Sequence, residues 1–306
     1  MPASGGRFPW GPVLVGVLAV VVGVLVFLAL RPPTPPPTVV TGTPEPTPTE
    51  SGPPTPEATA EPTPSLAPPS AVSRERPLDV QSDSVAARAV AGTCPGGGAR
   101  VELTRDGGAT WVGVDTPADE VMRVSWNEGP DLWFVGAAGD CAPGFWRSED
   151  QGSTWAGPTD TAGAWHLLPD PASLQLHAPD GNVDSPCGAT GTLELESLSP
   201  DGALVLCGDG RVEATGDSGA SWQQVAGAPG ALALGVLEGQ PVVVQLGDDT
   251  CGGLFVGSPL APERTCVAEA AAQGVALAFA GPDAGYLVAG DTTWVSSDRG
   301  VTWDER

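Results

Sequence analysis

Carboxylates are the most abundant reactive groups in this sequence: 37 of 306 residues are Asp or Glu, against 13 Arg and no Lys. From Arg76 to Arg306 there are 32 acidic residues and 10 arginines, a net charge of −22. Two carboxylates can cleave a glycosidic bond, one as acid and one as nucleophile or base. With so many present, a close pair arises by chance, so the acid count nominates no pair. The histidines are His166 and His177. No G-x-S-x-G elbow accompanies them, and they read as partly exposed strand or turn residues rather than catalytic bases. Cys94-Pro95-Gly96-Gly97-Gly98 lacks the Lys of a phosphate-binding loop and reads as a turn. Asp180-Gly181-Asn182-Val183-Asp184 and Gly247-Asp248-Asp249 fall short of the spaced oxygen set of a calcium loop. The six cysteines, Cys94, Cys141, Cys187, Cys207, Cys251 and Cys266, contain no C-x-x-C pair, which argues against zinc. No cofactor and no metal are expected.

The elements that must carry these groups follow from composition. A formal charge of −24 and a pI near 4.1 exclude partners recognised through phosphates, nucleic acid above all, because such binding needs Lys and Arg. Forty-two Gly, 34 Pro and no Ile argue against long soluble helices and favour turns and short strands. The chain divides into four stretches. Residues 1–10 form a short cytoplasmic N-terminus. Residues 11–30, GPVLVGVLAVVVGVLVFLAL, carry no charge and at about 1.5 Å per residue span about 30 Å, the thickness of a bilayer core. With no A-x-A pattern after them, they read as an uncleaved transmembrane signal-anchor. Residues 31–75 form a disordered Pro/Thr-rich linker with 15 prolines between Pro32 and Pro69, unable to bury a core. Residues 76–306 hold all six cysteines. An even count beyond an anchor points to disulfides in an oxidising compartment, placing the N-terminus inside the cell membrane and this domain outside.

Within residues 76–306 one pattern, S/T-x-D-x-G-x-T/S-W, occurs four times: Thr104–Trp111, Ser148–Trp155, Thr215–Trp222 and Ser296–Trp303. Its fixed residues are Asp106, Gly108 and Trp111; Asp150, Gly152 and Trp155; Asp217, Gly219 and Trp222; Asp298, Gly300 and Trp303. The Asp can accept bonds from backbone N–H groups ahead of it, Gly tolerates the left-handed backbone of a tight reversal, and Trp opens the next strand with a large apolar surface. Apolar runs precede three of the turns, at 131–136, 203–207 and 285–290.

These segments resemble Asp-boxes, or BNR repeats, of sialidases, sortilin-type receptors and photosystem II assembly factors. The resemblance covers essentially all of residues 76–306 and implies an all-β fold, a β-propeller of four-stranded blades. The box joins the third and fourth strands of a blade, a perimeter turn, so its Asp residues are structural rather than catalytic. The Asp-to-Asp spacings are 44, 67 and 81, against about 40–50 residues per blade. The first is one blade and the third two, with a degenerate blade near 241–268. The 67 is one blade with an insertion, for which Ser173–Gly188 is the candidate hairpin, or two blades with one stunted. Five blades are expected, with six as the alternative, and the last blade may close with a strand from the start of the domain. Cys94, Cys141 and Cys251 fall at corresponding places after the second strand of a blade; the pairing suggested by repeat position is Cys94–Cys141, Cys187–Cys207 and Cys251–Cys266.

For function the resemblance is less specific. A sialidase needs a Phe/Tyr-Arg-Ile-Pro motif, an arginine triad and a Tyr/Glu pair. This chain has no Ile, its one tyrosine, Tyr286, lies in an apolar run, and Arg105 and Arg299 sit inside boxes. The expectation is a non-enzymatic, membrane-anchored module that binds a basic protein or peptide. The alternative is a glycan-binding or sialidase-like glycoside hydrolase domain at the cell surface, for which an exposed cluster among Trp126, Trp133, Trp146, Trp165 and Trp294 would speak.

Overall fold

A computed structural model describes residues 76–306 apart from 128, 162, 171, 268, 269 and 271; the expected anchor and linker lie outside the described residues. Among the described residues no helix is long and apolar enough to cross a membrane. The chain forms six antiparallel sheets. The first holds β1 (Leu78–Val80), β2 (Ala86–Val90), β3 (Arg100–Thr104) and β4 (Val112–Val114). The second holds β5 (Glu120–Trp126), β6 (Leu132–Ala138), β7 (Ala142–Ser148) and β8 (Ala156–Thr159). The third has three strands, β9 (His166–Leu167), β10 (Gln175–Ala178) and β11 (Gly181–Asp184). The fourth holds β12 (Thr192–Ser197), β13 (Ala203–Cys207), β14 (Arg211–Thr215) and β15 (Gln223–Gly227). The fifth holds β16 (Ala231–Leu237), β17 (Gln240–Leu246), β18 (Leu254–Gly257) and β19 (Arg264–Val267). The sixth holds β20 (Ala276–Phe279), β21 (Gly285–Ala289), β22 (Thr292–Ser296) and β23 (Asp304–Glu305).

Strands follow sequence order within every sheet. The first strands β1, β5, β9, β12, β16 and β20 meet one another in turn, and β20 meets β1, which closes a ring. This is a six-bladed β-propeller. The expected count of five is thereby corrected to six, because the 67-residue spacing holds a stunted blade. Its β10–β11 hairpin turns at Pro179-Asp180, inside the stretch read above as an insertion. The expected strand exchange at closure is also corrected: blades one and six are each built from consecutive strands. Closure instead uses side chains. Tyr286 Oη donates to Asp83 O at 2.7 Å, and Trp111 Nε1 donates to Thr293 Oγ1 at 3.1 Å.

Position in the blade explains composition. Second strands lie between two neighbouring sheets, so both faces are covered, and the runs at β13 and β21 are buried throughout. Fourth strands face solvent: β8 is exposed along its length. Five apolar clusters fill the seams between blades one and two, three and four, four and five, five and six, and six and one. Among the described residues the seam between blades two and three has no such cluster, and that is where the short blade stands.

The four repeated turns join β3 to β4, β7 to β8, β14 to β15 and β22 to β23. Each is built alike. In the second, Ser148 Oγ donates to Asp150 Oδ1 at 2.8 Å and accepts from Gly152 N at 2.7 Å, while Thr154 N and Oγ1 donate to Asp150 at 2.8 and 2.7 Å. Gly152 has φ +81° and leaves Val114 Cγ2 only 2.9 Å from where a Cβ would sit. A Gly152→Ala variant is therefore expected to lose about 1–3 kcal/mol through a clash with β4 and backbone strain. A urea midpoint equal to wild type would contradict this packing role.

The structure forms three disulfides, Cys94–Cys141, Cys187–Cys207 and Cys251–Cys266. The first ties the β2–β3 loop of blade one to the β6–β7 loop of blade two. The second staples the segment entering blade four to β13, and the third lies within blade five.

Candidate functional site

Inward-facing side chains of β1, β5, β9 and β12 enclose a central cavity of about 70 Å³, room for a few water molecules. Its ionisable lining is Asp79, Arg123, His166, Glu194 and Glu196. The two glutamates stand two residues apart on β12, and a strand's alternation puts both on one face. Burial is the largest influence on every one of these groups. It pushes the Glu194 carboxyl well up, helped by Glu196, against a bond from Leu234 N of β16. It pushes Glu196 up to about 8, with Arg123 pulling it back and Asp79 adding to the rise. Asp79 is also raised by burial, although it accepts from Trp126 N at 2.7 Å and Ser125 Oγ at 2.8 Å.

His166 is 1% exposed, so the sequence expectation of a partly exposed histidine is corrected: β9 lies on the inner ring. Burial, then the neighbouring His177, push it down to about 3. The two imidazoles stack with centroids 4.3 Å apart, and their Nδ1 atoms lie 3.2 and 3.0 Å from Ala164 O. With Nδ1–H bonded to that carbonyl, His166 Nε2 is an acceptor without a protein partner, and a cavity water can satisfy it. Arg123 Nη1 donates to Trp165 O at 2.6 Å, and the guanidinium lies 5.0 Å from the Trp133 ring centroid.

Two open grooves flank the seam between blades two and three. One, about 720 Å³, is lined by Glu120, Asp170, Ser173, His177 and Asn182, with the Cys94–Cys141 bridge at its rim. The other, about 470 Å³, is lined by Arg123, Trp133, Phe145, Trp165 and the 197–200 turn. Trp133 and Phe145 sit 5.3 Å apart there.

The residues singled out from sequence lie apart from this centre. The four repeat aspartates, Asp106, Asp150, Asp217 and Asp298, are occupied in their turns, and the Thr and Ser bonds hold each carboxyl below the usual range. Arg105 bonds Gln151 and Arg299 bonds Glu238 across neighbouring blades. Asp180 lies in the β10–β11 turn, and Asp248 accepts from Thr250. Among the described residues no set of three or more His, Cys, Asp or Glu side chains is arranged to hold a metal ion. Of the unboxed tryptophans, Trp146, Trp165 and Trp294 are buried, while Trp133 reaches a groove. Sequence reading missed Asp79, Arg123, Glu194 and Glu196. The one signal was Leu193-Glu194-Leu195-Glu196, an alternation that ordinarily marks a strand with one wet face.

No protein-family model matches the sequence, and no curated protein matches it. Among solved structures the chain is similar to YCF48 from Cyanidioschyzon merolae, 16% identical over 76% of this chain and 72% of that one, TM-score 0.32. It is similar to the WD40 β-propeller domain of Doa1, 13% identical over 76% of this chain and 82% of that one, TM-score 0.42. It is also similar to the GH74 xyloglucanase from Xanthomonas campestris, 18% identical over 75% of this chain, TM-score 0.29; it spans 38% of that enzyme. The propeller architecture rests on the six sheets and their ring of first strands.

Proposed function

We propose that this chain is a membrane-anchored, extracytoplasmic Asp-box propeller that binds a cationic protein segment without catalysis. The observation that carries the reading is the 720 Å³ groove with Glu120 and Asp170 in its wall, in a domain of net charge −22. Like-signed charges around a concave surface steer an opposite charge inward. The groove is large enough for several side chains, whereas the central cavity, with its neutralised carboxyls, is too small for a sugar ring. The anchor and outward orientation rest on residues 11–30, the linker and the disulfides.

Binding of an Arg-rich peptide to the full chain is expected to weaken several-fold from low to high salt. The Asp170→Asn variant is expected to weaken it further at low salt, while Asp283→Asn, an exposed change on blade six, leaves it unaltered. Equal effects of the two variants would mean diffuse charge attraction and would overturn the groove assignment. A second reading, glycan binding, is favoured by the other groove, where Trp133 and Phe145 present aromatic surface beside Arg123. Its mark is salt-insensitive oligosaccharide binding lost in Trp133→Ala.

A further inference from the structure

The seam between blades two and three is tied by polar contacts. Arg123 of β5 spans it, donating to the Trp165 carbonyl at 2.6 Å. Of the five N–H donors a guanidinium carries, this is the one used among the described residues. Behind it the cavity holds Glu194 and Glu196 of β12, Asp79 of β1 and His166 of β9. The strands beside β12 add no ionisable group: β13 reads ALVLC, with its cysteine in a disulfide, and β16 reads ALALGVL. Glu196 therefore has one cation within its reach, and that cation is already engaged on blade three.

We propose that Arg123 and Glu196 form a proton-operated latch on this seam. While the Glu196 carboxyl keeps its proton, the guanidinium stays on the Trp165 carbonyl and joins blade two to blade three. When the proton leaves for cavity water, the carboxylate on blade four competes for the same guanidinium. Arg123 is drawn off the carbonyl, and the seam between the two grooves loosens. Burial sets the operating range by holding the Glu196 proton to about pH 8. His166 stays neutral there and adds no charge. The latch is independent of which partner either groove takes.

Hydrogen exchange of the full chain tests it, each rate normalised to the unfolded chain at the same pH. Between about pH 7 and about pH 9, protection at 163–167 and 175–184 is expected to fall roughly tenfold, while β17 and β21 keep theirs. Glu196→Gln removes the ionisation and is expected to hold the seam's protection constant. Wild-type protection that does not change with pH overturns the latch. So does an equal fall at all seams, or an unchanged fall in Glu196→Gln. If that variant fails to fold, the wild-type comparison of the seam with β17 and β21 still decides.

Discussion

The unfolding free energy of this propeller is expected to peak between about pH 4.5 and about pH 6.5 and to fall on both sides. The alkaline limb comes from Glu194 and Glu196. Both folded pKa values are raised, so their contribution is fully present below the unfolded value and is lost as pH rises through the folded one. For Glu196 that span runs from 4.5 to about 8, and at about 1.4 kcal/mol per unit it amounts to several kcal/mol. The acid limb has two sources. His166, held at about 3 against 6.5 unfolded, gives up stability as pH falls below its unfolded value. The repeat aspartates are depressed, so their contribution is present above the unfolded value and disappears as pH falls through the folded one. Between these limbs the proton uptake by the glutamates and its refusal by His166 oppose each other. Urea titrations across pH would show the dome. A steady gain of stability from about pH 5 to about pH 8 would mean that the β12 glutamates are not buried as described.

Trp165→Ala is expected to cost about 3–5 kcal/mol, the range for deleting a fully buried large aromatic. Trp165 is 1% exposed, packs edge-on against Trp222 with centroids 6.2 Å apart, and donates from Nε1 to Pro200 O at 3.0 Å. It supplies the largest side chain in the cluster that holds the short third blade to the fourth. Because blade three lacks an apolar cluster toward blade two, the loss has no second seam to absorb it. Trp165→Phe keeps most of the apolar area and is expected to lose less, chiefly the bond to Pro200. A loss below about 1 kcal/mol for the alanine variant would show that blade three is held by other means.

The perimeter of this fold was legible in the sequence and its centre was not. The four turns announce themselves because Asp, Gly and the flanking hydroxyls answer to one local hydrogen-bond pattern that needs no tertiary context. Asp150 and Gly152 meet the same partners in the structure that the turn chemistry demands. Cysteine pairs followed from repeat position. Blade three escaped because it carries no such turn, and its β10–β11 hairpin looks the same in sequence as an insertion. The inner ring escaped for another reason. Glu194 and Glu196 alternate with Leu193 and Leu195, a pattern that reads as a strand with one wet face. Only ring closure reveals that this face looks onto a cavity shared with Arg123 from 71 residues away in the sequence. His166 was misjudged likewise, since nothing local indicates that β9 lies innermost.

The central claim is that the acidic groove between the Cys94–Cys141 bridge and the 168–174 loop is where a protein partner binds. Its most direct test is chemical crosslinking of the full-length protein in its native membrane at low and at high salt, with crosslinked peptides mapped to residues. Crosslinks to one or two defined proteins, concentrated at 91–99, 139–141 and 168–174 and lost at high salt, are the predicted result. Recovery of surface glycan alone, indifferent to salt and mapped to Trp133 and Phe145, would contradict the account.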